Sequence, residues 1–281
     1  MIRVKLHTNW CDDIQIREEF NKSSIHANYK WDQIELVLGD TYDYFVILNR
    51  PRYNTFDPKK TIIFQCETKS TRDSWGYWGN PDKKHFFFVH STEEYNNFDK
   101  WYLNMNYQQL LKSPTKDKVL SGILSSNYFL PGHQQRLNFA FNHLSKLDYY
   151  HQCGRGFGDN QGTFFKGELK NKEDGLLSYK YTFNAENNRE MNYFTEKFID
   201  GLLCETLLFY DGCPNVDKFF DPYCYIKVDM TKPEEALNII KSSIENNEWE
   251  KRIDCIREQK RKLMNELNPL NVIQDIILKN R

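Results

Sequence analysis

Short apolar runs rich in β-branched and aromatic residues alternate along the chain with amphipathic stretches, the pattern of strand–helix units around parallel sheets. In the first half the runs fall at residues 2–7, 44–48, 61–66 and 86–90; in the second they fall at 119–125, 149–152, 207–210 and 225–228. Two sheets are expected. The polar stretch 112–117, with Pro114 at its centre, interrupts a pattern that restarts immediately afterwards and reads as the linker. Helical spacing is clearest near the C-terminus, where Ala236, Leu237, Ile240 and Ile244 follow Pro233. Further helices are expected over 133–146, 248–267 and, after Pro269, 270–278. The basic run 260–262 shares its helix with Glu258 and Glu266 and reads as a solvated face.

Length and composition refine this picture. A chain of 281 residues suits two compact domains or one large α/β domain. Hydrophobic residues make up only 40%, but aromatics at 15% restore the capacity to bury surface, which excludes general disorder. A formal charge of −1 gives no overall field for nucleic acid, so no nucleic-acid partner is expected. The first ten residues interleave charges with apolar positions, unlike a signal peptide, and no apolar run approaches the roughly 18 residues of a membrane span. The seven cysteines contain no CxxC pair, which argues against a zinc site and a disulfide framework. A soluble, cytoplasmic protein with free thiols and no transmembrane anchor is the expectation.

The richest chemistry lies in residues 178–200, read as a strand, a polar loop and a helix starting near Thr195. Such a helix start favours anions. Lys197 adds positive charge where the helix dipole is already positive, which suits an arriving phosphate as well as it suits an exposed lysine. Arg136 could fork onto phosphate oxygens or lie on a helix surface. Glu67 closes an apolar strand at the end where open α/β sheets bind ligands, and could equally be an ordinary strand-end carboxylate. The glycines at 154, 156 and 158 lack the full GxGxxG spacing and are not read as a dinucleotide fingerprint. There is no Asp-x-Asp to hold a divalent cation, no HExxH and no GxSxG; basic side chains would have to neutralise any diphosphate. Trp10, Asp12 and Asp13 read equally well as part of a site or as a simple loop.

These residues carry a resemblance. Tyr179-Lys180-Tyr181, Glu186-Asn187, Tyr193, Thr195-Glu196-Lys197, Ile199-Asp200, Tyr210, Gly212 and Pro214 stand at spacings similar to the signature of the α1,3-fucosyltransferases, glycosyltransferase family 10. The likeness continues through Phe220-Asp221-Pro222 and covers about residues 118–245 well. It implies an α/β fold of GT-B type, two Rossmann-like domains facing across a cleft. The expected division is an acceptor-side domain at 1–113, a nucleotide-sugar domain at 114–265 and a terminal helix, 266–281, packing back toward the first domain. It also implies inverting transfer of L-fucose from a GDP-fucose donor to a hydroxyl of a glycan acceptor, without metal or other cofactor. Glu67 would be the base, and Arg136 with Lys197 would stabilise the departing diphosphate. Ser126, Asn127, Gly154, Tyr179, Glu186, Asn187, Tyr193, Thr195 and Glu196 would bind the donor. The chain departs from the pattern at Ala185, Asp211 and Leu208, which leaves open the same fold with a different nucleotide sugar. A catalytically silent glycan- or nucleotide-binding protein is the rival from another class.

Overall fold

The computed structural model describes residues 1–91, 100–158 and 161–281. The first half forms strands β1 (Ile2–Thr8), β2 (Lys30–Trp31), β3 (Ile34–Leu36), β4 (Tyr44–Leu48), β5 (Thr61–Gln65) and β6 (Phe88–Ser91), with helices α1 (Asp13–Asn21), α2 (Lys69–Arg72) and α3 (Tyr107–Leu110). Its six strands lie in the order β2-β3-β1-β4-β5-β6. Every pairing is parallel except β2 with β3. The second half forms β7 (Lys118–Ile123), α4 (Pro131–Asn142), β8 (Tyr150–Cys153), β9 (Tyr179–Ala185), α5 (Glu196–Leu203), β10 (Leu207–Asp211) and β11 (Tyr225–Lys227), then α6 (Pro233–Glu245), α7 (Glu248–Met264) and α8 (Pro269–Asn280). Its five strands, all parallel, run β11-β10-β9-β7-β8.

Each strand order reverses once, at β1 in the first sheet and at β7 in the second. A reversal sends neighbouring connections to opposite faces and opens a crevice at the carboxyl ends of the strands. Burial follows from the parallel arrangement: β5 is buried at all five positions and β10 likewise, because both faces of a parallel sheet are covered. Thr195 caps α5, which buries Phe198, Ile199, Leu202 and Leu203 against β10. Pro233 opens α6, which buries Ala236, Leu237 and Ile240. Helix α8 returns to the first sheet: Trp31 donates its indole N–H to Asn271 Oδ1 at 3.1 Å, and Gln33 donates its backbone N–H to Gln274 Oε1 at 2.8 Å. Among the described residues no helix is long and apolar enough to cross a membrane, and all seven cysteines are free thiols.

Two local readings change. Asp12 and Asp13 belong to a helix: Asp12 Oδ1 accepts the N–H of Gln15 at 2.7 Å and caps α1, while Asp13 lies 2.7 Å from Nδ1 of the buried His7. In the run 260–262 only Arg261 is exposed to solvent. Lys260 is buried with its ammonium 2.9 Å from Glu205, and Lys262 donates to the carbonyl of Phe219 at 2.6 Å. Glu205 also takes Arg257 and Ser113, so this basic run fastens α7 to the end of α5 and to the inter-sheet stretch.

Candidate active site

The carboxyl ends of the two sheets face one cleft made of two connected cavities. The larger, about 660 Å³, is lined by Trp10, Asn49, Glu67 and Trp75 from the first half and by Asn187, Tyr193, Thr195, Glu196 and Lys197 from the second. The second, about 480 Å³, is lined by Ser125, Asn127, His133, Arg136, Gly154 and Asn184 and shares Tyr102, Asn187, Glu196 and Lys197 with the first. Glu67 and Lys197 therefore face the same space, and Arg136 lies just beyond.

Glu67 follows β5 and precedes Thr68, the cap of α2. Its carboxylate makes no hydrogen bond to a described side chain. Burial pushes its pKa up, Lys197 pulls it down, and Glu196 and Glu186 push it up again; the outcome is upward. A carboxyl that is half-buried, unpaired and raised in pKa is suited to accept a proton.

Lys197 is positioned by a buried cradle. Its ammonium donates to Glu196 Oε1 at 3.1 Å and Thr195 Oγ1 at 3.2 Å, and lies 3.6 Å from Glu186. Glu186 in turn accepts the Thr195 backbone N–H at 2.9 Å, its hydroxyl at 2.8 Å and the Tyr210 hydroxyl at 3.3 Å. Burial opposes the charge on Lys197, but the two carboxylates hold its pKa above the ordinary lysine range. Burial likewise opposes ionisation of Glu196, yet Lys197 and Lys172 bring it down to about 2. Glu186 is raised by burial despite Lys197. The first turn of α5 thus carries its lysine because the buried Glu186 and the half-buried Glu196 surround it.

Arg136 is buried in the second turn of α4 and donates through Nη1 to Asn187 Oδ1 at 2.8 Å; His133 Nε2 lies 3.1 Å from the same oxygen. Burial lowers the pKa of Arg136, with Glu186 opposing the shift. Among the described residues its Nε is buried without a partner, as is the amide nitrogen of Asn184 at the end of β9. Two unpaired buried donors beside one cavity are costly unless an acceptor-rich group meets them. The N-terminus of α4, which has no side-chain cap, adds its partial positive charge beside Asn187.

Of the residues expected to bind a donor, Asn127, Gly154, Asn187, Tyr193, Thr195 and Glu196 line the cleft. Three stand differently. Tyr179 begins β9, at the far end of the strand from Glu186, and its hydroxyl lies 2.9 Å from His151 Nδ1. Ser126 turns to the glycine turn, its N–H on the Arg155 carbonyl at 3.1 Å, while Ser125 lines the cavity. Glu186 is enclosed in the lysine cradle rather than open to the cleft. Gly154 is required by its neighbour: with φ at +151°, a Cβ there would stand 1.6 Å from the Leu124 carbonyl oxygen. Sequence reasoning missed Asn184, Tyr102, Lys172 and Trp75. Only Asn184 left a signal, as a polar residue in the last apolar positions of a buried strand.

Two parallel-sheet domains with a polar cleft between their carboxyl ends define the GT-B fold of glycosyltransferases, and solved structures agree. An α1,3-fucosyltransferase with GDP-fucose is 19% identical, with 90% of this chain and 81% of that chain covered and a TM-score of 0.55. An α-glucosyltransferase in complex with UDP and DNA is 12% identical, with 91% and 94% covered and a TM-score of 0.55. No family model matches the chain. In sequence, the α-(1,3)-fucosyltransferase FucT of Helicobacter pylori is 38% identical over 74 residues, 26% of this chain and 16% of that protein. The matched stretch thus spans about a sixth of the relative's length. Over those 74 residues the chain is similar in sequence to an α1,3-fucosyltransferase, and its fold is the GT-B fold that the fucosyltransferase and the glucosyltransferase share.

Proposed function

We propose that the chain is an inverting glycosyltransferase that moves L-fucose from GDP-fucose to a hydroxyl of a glycan acceptor without a metal ion. The observation that carries this reading is the shared cavity: a raised-pKa carboxylate on the first sheet, Glu67, unpaired among the described residues, faces the half-buried cation Lys197 on the second, with Arg136 beyond. The donor diphosphate would take the orphaned Arg136 Nε and the uncapped end of α4, and share the ammonium of Lys197. Asn127, Asn184, Asn187, Tyr193 and Glu196 would hydrogen-bond the rest of the donor. The acceptor would enter between Trp10 and Trp75.

In the reaction the acceptor oxygen attacks the anomeric carbon from the side of the first sheet while its proton passes to Glu67. The bond from that carbon to the β-phosphate oxygen breaks and its electron pair leaves with GDP, whose growing charge meets Arg136 and Lys197. Entry and departure on opposite faces give inversion with one base. Support for fucose as the sugar comes from the fucosyltransferase likeness. The test is product analysis by mass spectrometry with GDP-fucose, other GDP-sugars and UDP-sugars over a glycan panel in chelator. Fucosylated product is expected. Transfer only from a UDP-sugar, or only after Mn²⁺ is restored, would contradict the proposal, and nucleotide binding with no transfer would favour a silent binding protein.

A further inference from the structure

Four consecutive residues after β9 each reach a different element around the cleft. Asn187 accepts from Arg136 at 2.8 Å. Asn188 Nδ2 reaches the hydroxyls of Thr68 and Ser70, both at 3.4 Å, on the opposite side of the cleft. Arg189 forks onto Asp211, with Nε 2.6 Å from Oδ1, and its Nη2 donates to Asp229 at 2.6 Å. Glu190 Oε2 accepts the backbone N–H of Lys69 at 3.0 Å. Thr68 and Lys69 immediately follow Glu67.

From this juxtaposition we infer that residues 187–190 form a positioning bridge, in which Asn188 and Glu190 set the loop bearing Glu67 in register with the diphosphate-binding Arg136, while Arg189 anchors the bridge to β10 and β11. The inference rests on the glycosyl-transfer reading above and goes beyond it, because none of the three residues faces the reacting atoms. Their effect runs through the backbone. A base must lie within hydrogen-bond reach of the acceptor proton when the anomeric carbon is presented, and misplacement by about 1 Å costs on the order of 10²-fold. The donor side fixes that carbon and the first sheet carries the base, so a direct tie between the two loops sets the distance. Asp211 then has a role of its own. Its buried carboxylate, one of the departures from the resembled pattern, receives the anchoring arginine and the N–H of Met230 at 2.8 Å. Glu67 is followed by Thr68 because that hydroxyl both caps α2, accepting from Thr71 N–H at 3.4 Å, and meets Asn188.

The test uses the full-length protein and two readouts. In hydrogen–deuterium exchange of the free protein, Glu190→Ala and Asn188→Ala are expected to speed exchange of the peptide covering 67–72 several-fold, with Glu190→Gln closer to wild type because its amide oxygen still accepts. In steady-state transfer, the same alanine variants are expected to lower kcat about tenfold with GDP affinity within twofold of wild type and an unchanged Tm. Arg189→Ala is expected to lower both kcat and GDP affinity. Unchanged exchange at 67–72 overturns the bridge, as does a loss of GDP affinity in Glu190→Ala matching its loss of kcat. If the wild type transfers no sugar, the transfer reading fails while the exchange experiment still decides whether the tie exists.

Discussion

Glu67 owes its chemistry to the end of β5: five buried residues deliver it to the cleft, and burial there raises its pKa while no described neighbour takes its oxygens. In the proposed reaction it must be ionised to accept a proton, so rate rises with pH through its pKa. Because that pKa is raised, the acidic limb of kcat is expected above the ordinary glutamate value of 4.5. A limb at or below that value contradicts the assignment. Glu67→Gln keeps the shape and removes the base; turnover is expected to fall by roughly 10²–10⁴-fold with GDP affinity unchanged. Lys197 behaves differently, because it is held by acids it also neutralises. The Glu196 carboxyl at about 2 stabilises the fold above the unfolded value near 4.5 and loses that contribution as pH falls toward 2. Lys197→Ala is therefore expected to lower Tm most at neutral pH, with the deficit shrinking between about 4.5 and 2, in thermal melts across that range.

Helix α4 brings Arg136 to the cleft, and its placement depends on a glycine. A Cβ on Gly132 would stand 2.1 Å from the Asn187 carbonyl oxygen, so the helix can press onto the loop only with glycine there. Glycine to alanine within a helix ordinarily stabilises by about 1 kcal/mol. Here Gly132→Ala is expected to lower Tm and weaken GDP binding about tenfold in calorimetry, because the loop holding Arg136 must shift; a stabilised variant with full affinity would contradict the packing. The elements themselves were unevenly legible. Strands β4, β5 and β10 are apolar runs with little ambiguity, since parallel strands are covered on both faces. Strands β2 and β3 span two and three residues and leave no periodic signal. Tyr179 shows the limit of motif spacing: it matches the same signature as Glu186, but the seven residues of β9 separate them by on the order of 20 Å, and the cleft lies at one end only. The solvated reading of 260–262 holds for Arg261 and fails for Lys260, because Glu205, which pairs with Lys260, lies 55 residues away in sequence.

At the scale of the whole molecule, both sheets open toward one cleft, and the division of labour follows from what each contributes. The first brings a carboxylate and the rings of Trp10 and Trp75; the second brings cations and unpaired donors. The chain as a whole is near neutral, with a formal charge of −1, so the proposed affinity for a nucleoside diphosphate would come from the local set rather than from a general field. In the proposed site, removing Arg136 would take away a charge-assisted contact of about 1.5–3 kcal/mol, roughly 10- to 150-fold in affinity. The most direct measurement is therefore a calorimetric titration of GDP-fucose, with UDP-glucose as comparison, into the wild type and Arg136→Ala in the presence of chelator. Binding of GDP-fucose by the wild type, weakened at least tenfold in the variant, with UDP-glucose bound more weakly, is the expected result. Equal affinity for the two sugar nucleotides, or GDP-fucose binding untouched by loss of Arg136, would contradict a GDP-sugar site in this cleft.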